Sequence, residues 1–257
     1  MQIVLPVREK DAHKGSCGRI LIVAGSLGMT GAALLCTWAA LRTGAGIVRL
    51  VLPKSLVPFT DVQITEMITI GAPETKDGTL ANTAGEIIFA NLDHSDVLAI
   101  GPGLSQNKKT QTLLKLILDN NTKPTVIDAD GLNPHVIPAK GLFPLILTPH
   151  YGEAARLLNT TVEKVQADRE NSARKIAIKY KAVVVLKGAP TFVTDGINLS
   201  AIETGNPGMA TAGMGDVLTG AIVSLLGQGL HLWDAAISGV QLHGKAGNMV
   251  YEDKDIG

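Results

Sequence analysis

The stretch Arg19-Ile20-Leu21-Ile22-Val23-Ala24, followed by Gly25-Ser26-Leu27-Gly28-Met29-Thr30-Gly31, decides how the rest of the chain is read. Its first six residues contain five apolar ones in a row with no polar alternation, the pattern of a strand buried on both faces. The glycine-rich loop runs into a helix from about Ala32 to Thr43, and Ile47–Leu52 is a second strand of the same kind. Strand, covering helix and buried strand form a βαβ unit, the building piece of a parallel sheet.

The same alternation extends outward. Glu66–Ile70 reads as a weaker strand and Ala84–Leu92 as a helix. Val97–Ile100 is a short buried strand ending in Gly101-Pro102-Gly103, and Lys108–Asn120 is the helix after it. Further strands are expected at Thr125–Asp128, Leu145–Thr148 and Val183–Leu186. Thr160 with Glu163 offers a capping box for a helix reaching Tyr180. Thr191–Thr194, Asp195-Gly196 and Ile197–Ala201 read as a hairpin with a two-residue turn. Helices over Asp216–Leu226 and Trp233–Tyr251 close the chain. The expected fold is α/β: a mostly parallel central sheet covered by helices on both faces, with an antiparallel hairpin at one edge. No linker, repeat or composition break interrupts residues 1–257, so one domain is expected.

Composition narrows the function classes. With 46% hydrophobic and 18% charged residues the chain can build a large core, which excludes general disorder. Lys+Arg 23 balance Asp+Glu 23, so nothing electrostatic favours nucleic acid or an anionic membrane as partner. Met1–Gly15 is polar and carries both charge signs, unlike a secretory signal. The longest apolar runs, Ala32–Leu41 and Val217–Leu226, fall short of the ~20 residues that span a bilayer. Cys17 and Cys36 form neither a metal spacing nor a disulfide framework, which suits a reducing cytoplasmic location. Glycine is in excess, 28 residues, and clusters at the ends of apolar runs, where backbone approaches a ligand.

Asn206-Pro207-Gly208-Met209-Ala210-Thr211-Ala212-Gly213-Met214-Gly215-Asp216 is the most informative of these clusters, because it runs directly into the apolar helix. Small residues before a helix leave backbone N–H groups free at the positive end of its dipole, and that geometry holds an anion without a lysine. Asp216 in the first turn is either an ordinary helix-terminal acid or a base beside the anion. The second reading suits phosphoryl transfer: the backbone amides hold the transferring group while Asp216 takes the acceptor's proton.

Known nucleotide motifs fit poorly. Gly239-Val240-Gln241-Leu242-His243-Gly244-Lys245-Ala246 approaches a Walker loop, but Ala246 lacks the hydroxyl for Mg²⁺ and the stretch lies within a helical pattern. The loop Gly25–Gly31 has glycines at the wrong spacing for a dinucleotide fingerprint, and no acid ends the second strand. Three other strand ends carry polar groups. Asp128-Ala129-Asp130-Gly131-Leu132-Asn133 is a Mg²⁺ or sugar-hydroxyl site, or else an Asx-type helix start. Thr148-Pro149-His150-Tyr151-Gly152-Glu153 puts an imidazole and a carboxylate at a strand end, where a lone His is more often structural. Lys187-Gly188-Ala189-Pro190-Thr191 joins a strand to the hairpin, and its lysine can reach a phosphate. Together these loops imply one long crevice for phosphates and an extended ligand.

At these residues the chain resembles the ADP/ATP-dependent NAD(P)H-hydrate dehydratases of the ribokinase-like superfamily. The resemblance rests on His13-Lys14-Gly15, Val23-Ala24-Gly25-Ser26, Met29-Thr30-Gly31-Ala32-Ala33, Arg42-Thr43-Gly44-Ala45-Gly46 and Ile100-Gly101-Pro102-Gly103-Leu104 in the first half. In the second it rests on Val126–Asn133, Leu147-Thr148-Pro149-His150, Val185-Leu186-Lys187-Gly188 and the segment Gly205–Gly220. These stretches follow one another along nearly the whole chain. The resemblance implies repair of NADH and NADPH hydrated at C6 of the nicotinamide: a nucleotide, ADP above ATP, phosphorylates the ring hydroxyl and phosphate elimination restores the ring. It further implies Asp216 as base, Ala212, Gly213, Met214 and Gly215 around the phosphate, and Asn206 placing phosphate or Mg²⁺, with Mg²⁺ bound through phosphates. Ala32, Gly103, His150 and Asp216 would contact the hydrated dinucleotide; Lys187, Gly188, Ala189, Pro190, Thr191 and Gly215 would contact the nucleotide. A homotetramer is implied as well.

Met214 stands where the family often has Thr or Ser, which leaves the anion to backbone amides, and Tyr151 replaces a usual Pro. The family commonly continues beyond the position of Gly257, and some relatives carry an N-terminal epimerase domain without counterpart here. A kinase of the same superfamily that stops at the phosphate ester is the nearest alternative function. A non-catalytic nucleotide sensor is a more distant one.

Overall fold

The computed structural model describes residues 3–138 and 141–254, the side chains of 253 and 254 excepted. In chain order the elements are β1 (Arg19–Val23), α1 (Thr30–Arg42), β2 (Ile47–Pro53), α2 (Val57–Thr60), β3 (Ile68–Ala72), α3 (Gly85–Leu92), β4 (Val97–Ile100) and α4 (Lys108–Asn120). There follow β5 (Thr125–Ile127), β6 (Leu145–Leu147), α5 (Tyr151–Leu158), α6 (Val162–Ala167), α7 (Arg169–Tyr180), β7 (Val183–Leu186), β8 (Thr191–Thr194), β9 (Leu199–Ile202), α8 (Met214–Gly227) and α9 (Leu232–Lys254). The strands form one sheet in the order β3-β2-β1-β4-β5-β6-β7-β8-β9. Pairing is parallel from β3 to β7, and β8 runs antiparallel to both β7 and β9.

Continuous apolar strands are what a sheet covered twice requires. Ile20 and Ile22 of β1 point into one core with Cys36 and Ala40 of α1, Ile222 of α8 and Ala236 of α9. Leu21 and Val23 point into the other, with Ile88 of α3, Ile117 of α4, Leu157 of α5 and Ile176 of α7. All four β1 residues are fully buried, each worth roughly 1.5–3 kcal/mol of transfer free energy. Gly220 of α8 lies against the Cys36 carbonyl and Ala39 of α1, where a side chain would hold the two helices apart. This close packing fixes the start of α8 at the carboxyl edge of the sheet.

Four expectations need correction. The helix expected as one piece up to Tyr180 is two, α6 and α7, broken at Asp168, whose φ −144° and ψ 68° are not helical. Its cap is Thr161, whose hydroxyl accepts from the Lys164 amide at 3.4 Å, and not Thr160 with Glu163. The hairpin closes through four residues, since Thr194 pairs with Leu199. Asp195 there folds the chain into a longer loop by accepting from the amides of Ile197 and Asn198 at 2.8 and 2.7 Å. The weak third strand is displaced to Ile68–Ala72, in register with β2.

Candidate active site

At the carboxyl edge, β5, β6, β7 and β9 end around a cleft of about 940 Å³. Asp128, immediately after β5, is 1% exposed, and its carboxylate is fully occupied. Oδ1 accepts from Lys187 Nζ at 2.8 Å, and Oδ2 accepts from Thr219 Oγ1 of α8 at 2.8 Å. Glu153 in the first turn of α5 lies 3.8 Å from the same ammonium. Burial alone would lower the pKa of Lys187, but Asp128 and Glu153 outweigh it and the net shift is upward, so the lysine stays charged. The pKa of Glu153 is raised, chiefly by burial, with Lys187 opposing.

Gly213 begins α8 with φ +93°, a conformation glycine adopts without strain, and no side chain caps the helix behind it. Two residues on, Gly215 presents a bare backbone to the lysine: a Cβ there would lie 3.2 Å from Lys187 Nζ and 3.8 Å from Asp128 Oδ2. Asp216 follows in the first turn and lines the cleft. Its pKa is pushed up to about 6, first by burial and then by the Asp128 charge, with Lys187 pulling the other way. A carboxylate poised there, beside open helix N–H groups and an ammonium, is equipped to accept a proton while an anion is held.

The structure gathers most of the expected residues at this cleft: Asn206, Gly213, Met214, Gly215, Asp216, His150 and the run Lys187, Gly188, Ala189, Pro190 and Thr191 all line it. Ala212 is exposed just outside. Ala32 and Gly103 lie elsewhere on the same edge, next to each other: a Cβ on Gly103 would be 3.0 Å from that of Ala32. They join the cleft through α1, because Gly213 packs on Leu35, one turn further along that helix.

His150 is an N-cap as well as a wall of the cleft. Its Nδ1 accepts from the Gly152 and Glu153 amides at 2.9 and 3.4 Å, while Glu153 Oε2 accepts from the His150 amide at 2.8 Å. Its pKa is lowered by burial and by Lys187. With Nδ1 an acceptor, the neutral ring carries its proton on Nε2, 3.3 Å from Glu153 Oε1. Asn206 likewise spends Oδ1 on the Gly208 amide at 2.9 Å. Tyr151 sets its hydroxyl over Gly188, and Arg169 stacks on the Tyr151 and Phe192 rings while donating to the carbonyls of Ala189 and Pro190. The tyrosine therefore braces the Lys187–Thr191 loop.

Of the Asp128–Asn133 run, the structure divides the roles. Asp130 accepts from the Ser105 amide at 2.8 Å and from Gln106 Nε2 at 2.7 Å, and Asn133 bonds Gln111 Oε1 at 2.9 Å, so these two shape loops. The Walker-like stretch lies within α9, as expected. The Asp128–Lys187–Glu153 cluster was not foreseen as a unit. Its members are far apart in sequence, and only the strand-end position of each hinted at it.

A sheet covered on both faces, an antiparallel hairpin at one edge and a glycine-opened helix over the cleft define a ribokinase-like fold, to which solved structures similar to this chain also belong. The family profile described as NAD(P)H-hydrate dehydratase matches residues 20–257, and the chain belongs to that family. It is 39% identical, over 98% of its length and 84% of the relative's, to the ADP-dependent (S)-NAD(P)H-hydrate dehydratase of Neisseria meningitidis. Against the bifunctional NAD(P)H-hydrate repair enzyme of Moorella thermoacetica identity is 47% over 95% of the chain and 47% of the relative. The chain thus spans about half the length of the bifunctional relatives it matches. The crystal structure of the ADP/ATP-dependent NAD(P)H-hydrate dehydratase from Bacillus subtilis, co-crystallised with ATP/Mg²⁺, superposes with TM-score 0.82 at 30% identity, covering 97% of this chain and 86% of that one.

Proposed function

We propose that this protein is a nucleotide-dependent NAD(P)H-hydrate dehydratase that uses ADP as phosphoryl donor, and that residues 1–257 work as one catalytic unit. The observation that carries this reading is Asp216, held near pKa 6 in the first turn of α8 beside the open amides and Lys187. As the C6 hydroxyl oxygen bonds to the β-phosphorus and the bond to the AMP oxygen breaks, Asp216 takes the hydroxyl proton. The amides of Gly213–Gly215 and the Lys187 ammonium hold the transferring charge. Cleavage of C6–O then releases inorganic phosphate, and loss of the C5 proton restores the dihydronicotinamide. Lys187–Thr191 and Gly215 bind the nucleotide. Ala32, Gly103, His150 and Asp216 bind the hydrated dinucleotide along the edge toward β1.

Among the described residues no three His, Cys, Asp or Glu side chains form a metal cage. Asp128 and Glu153 are shared with Lys187, so the donor set fits Mg²⁺ bound mainly through nucleotide phosphates, with Asn206 beside them. Bound there, Mg²⁺ supplies charge neutralisation on the phosphates.

Among the described residues no helix is long and apolar enough to cross a membrane. The two buried, unpaired cysteines suit the cytoplasm. The free edge of β9 supports a homo-oligomer, taken as a tetramer, in which that edge is covered. Light scattering that shows only monomer at micromolar concentration removes the oligomer. The activity is tested by incubating hydrated NADH with ADP or ATP. Recovery of NADH with stoichiometric inorganic phosphate is expected, whereas a stable phosphorylated organic product would mark a kinase.

A further inference from the structure

Side chains occupy the carbonyl groups of the Lys187–Thr191 loop. Thr191 Oγ1 donates to the Gly188 carbonyl at 2.9 Å, and the Arg169 guanidinium donates to the next two, that of Ala189 at 3.0 Å and that of Pro190. The Lys187 amide is spent on the Pro149 carbonyl at 2.9 Å. Among the described residues nothing accepts from the amides of Gly188 and Ala189, two residues that line the cleft. A loop with its oxygens occupied and N–H groups open suits an anionic ligand.

The fold brings Arg169 to this loop. The chain breaks at Asp168, so Arg169 opens α7, which packs on β7 and β8, the strands that the loop joins. Its guanidinium lies over the Tyr151 ring of α5 at 5.3 Å and over the Phe192 ring of β8 at 4.7 Å. Tyr151 in turn sets its hydroxyl on Gly188, where a Cβ would strike both that hydroxyl and Arg169. Glycine is required there by this close approach.

Among the described residues no carboxylate forms an ion pair with Arg169, and its Nε is buried without a partner. The side chain is committed instead to two carbonyls and two rings. Such a grip needs the shape of arginine. A planar fork reaches neighbouring carbonyls together and stacks on aromatic faces, whereas a lysine ammonium is a strongly hydrated point charge.

We propose that Arg169, stacked on the Tyr151 and Phe192 rings, is a positioning residue that fixes the Ala189 and Pro190 carbonyls and so keeps the loop amides open for the nucleotide. The role rests on the reading of Lys187–Thr191 as part of the nucleotide site. Arg169 itself does not line the cleft.

Calorimetric titration with ADP, beside steady-state kinetics at saturating ADP with varied hydrated NADH, tests this role. Arg169→Met should raise the Kd for ADP about tenfold, the equivalent of ~1.4 kcal/mol. Its kcat and its KM for the hydrate should stay within about twofold of the parent. Arg169→Lys, which keeps the charge without the fork, should lose nearly as much ADP affinity. Tyr151→Phe keeps the ring and should bind ADP as the parent does. Tyr151→Ala removes it and should bind about threefold more weakly, and it carries the test where Arg169→Met does not fold. Parental affinity in Arg169→Lys would overturn the clamp and leave only charge. Parental affinity in Arg169→Met or Tyr151→Ala, or a hydrate KM that rises as far as the ADP Kd, would overturn it as well, and the nucleotide reading would stand. A parent that binds no ADP would overturn that reading too.

Discussion

The loops after β1 and β4 and the loops after β5, β6, β7 and β9 share one sheet edge but are built from opposite materials. Between β1 and β4 the strand order reverses, the switch point at which open α/β sheets leave a crevice. That half is shaped by backbone. The Gly25 amide donates to the Pro102 carbonyl at 2.8 Å, Ser26 Oγ donates to the Gly103 carbonyl at 2.8 Å, and Ala32 lies against Gly103. The other half carries Asp128, Glu153, Lys187 and Asp216 in mutual contact or electrostatic reach, with Asp128 almost wholly out of water. On the proposed reading, shape seats a large ligand while buried charge moves a proton and holds a phosphate. One edge can therefore do both, provided the two halves are energetically separable.

The largest expected effect tests the charged half. Asp216→Asn keeps size and helix but removes the base, and should lower kcat by ~10²–10⁴-fold. ADP affinity should hardly change, because the amides of Gly213–Gly215 remain. If kcat stays within about threefold of the parent, a change under ~1 kcal/mol in the barrier, the base assignment fails and the two halves differ less than claimed.

Next in size is Asp128→Asn. Removing one partner of a buried ion pair costs about 3–5 kcal/mol. Here the low end is expected, because Glu153 still faces the ammonium at 3.8 Å and Lys187 keeps partial contact with water. Urea unfolding should therefore lose roughly 3 kcal/mol. A loss below about 1 kcal/mol would mean that the cluster is solvated well enough to count as surface.

Apolar strands and glycine clusters, in both halves, were more legible in the sequence than the buried charges. Val97–Ile100 and Val183–Leu186 could be read to the residue, since a strand buried on both faces must be continuously apolar. Gly101–Gly103 and Gly213–Gly215 stood out as glycine clusters at the ends of apolar runs, and Gly101, Gly103 and Gly213 do hold positive φ. What escaped were choices between near-equal local options, such as Thr160 against Thr161 as cap or a two- against a four-residue turn at Asp195. Contacts that exist only after folding escaped too. Asp128 meets a lysine 59 residues away and a threonine 91 residues away, and no local pattern records either bond.

Gly103→Ala probes the backbone half. Gly103 has φ +61°, and an added Cβ would sit 2.8 Å from the Met29 carbonyl oxygen. A left-handed alanine costs roughly 1–2 kcal/mol before any clash. The local shift should raise KM for the hydrated dinucleotide while kcat and the Kd for ADP stay near parental values. Steady-state kinetics beside ADP titration checks this. An ADP affinity that falls as much as hydrate affinity would show the halves to be coupled.

The smallest effect is one of sign, and it separates a tuned base from an ordinary helix-terminal acid. Asp216 has its folded pKa raised from 3.8 to about 6, so protonation favours the native state. Its contribution is fully present below pH 3.8 and is lost as pH rises through about 6. The ionised carboxylate is therefore a burden on the fold at neutral pH, and Asp216→Asn should stabilise the protein there and make no such difference near pH 4. Because the side chain keeps contact with water, screening reduces the full linkage value, and a gain of about 1 kcal/mol is expected at pH 7.5. An unburdened acid in the first helical turn would do the reverse, contributing ~0.3–1 kcal/mol when charged. Melting curves of parent and variant at pH 4 and 7.5 decide it. A variant less stable than its parent at the higher pH would show that the dipole outweighs burial and that Asp216 is not strained for its task.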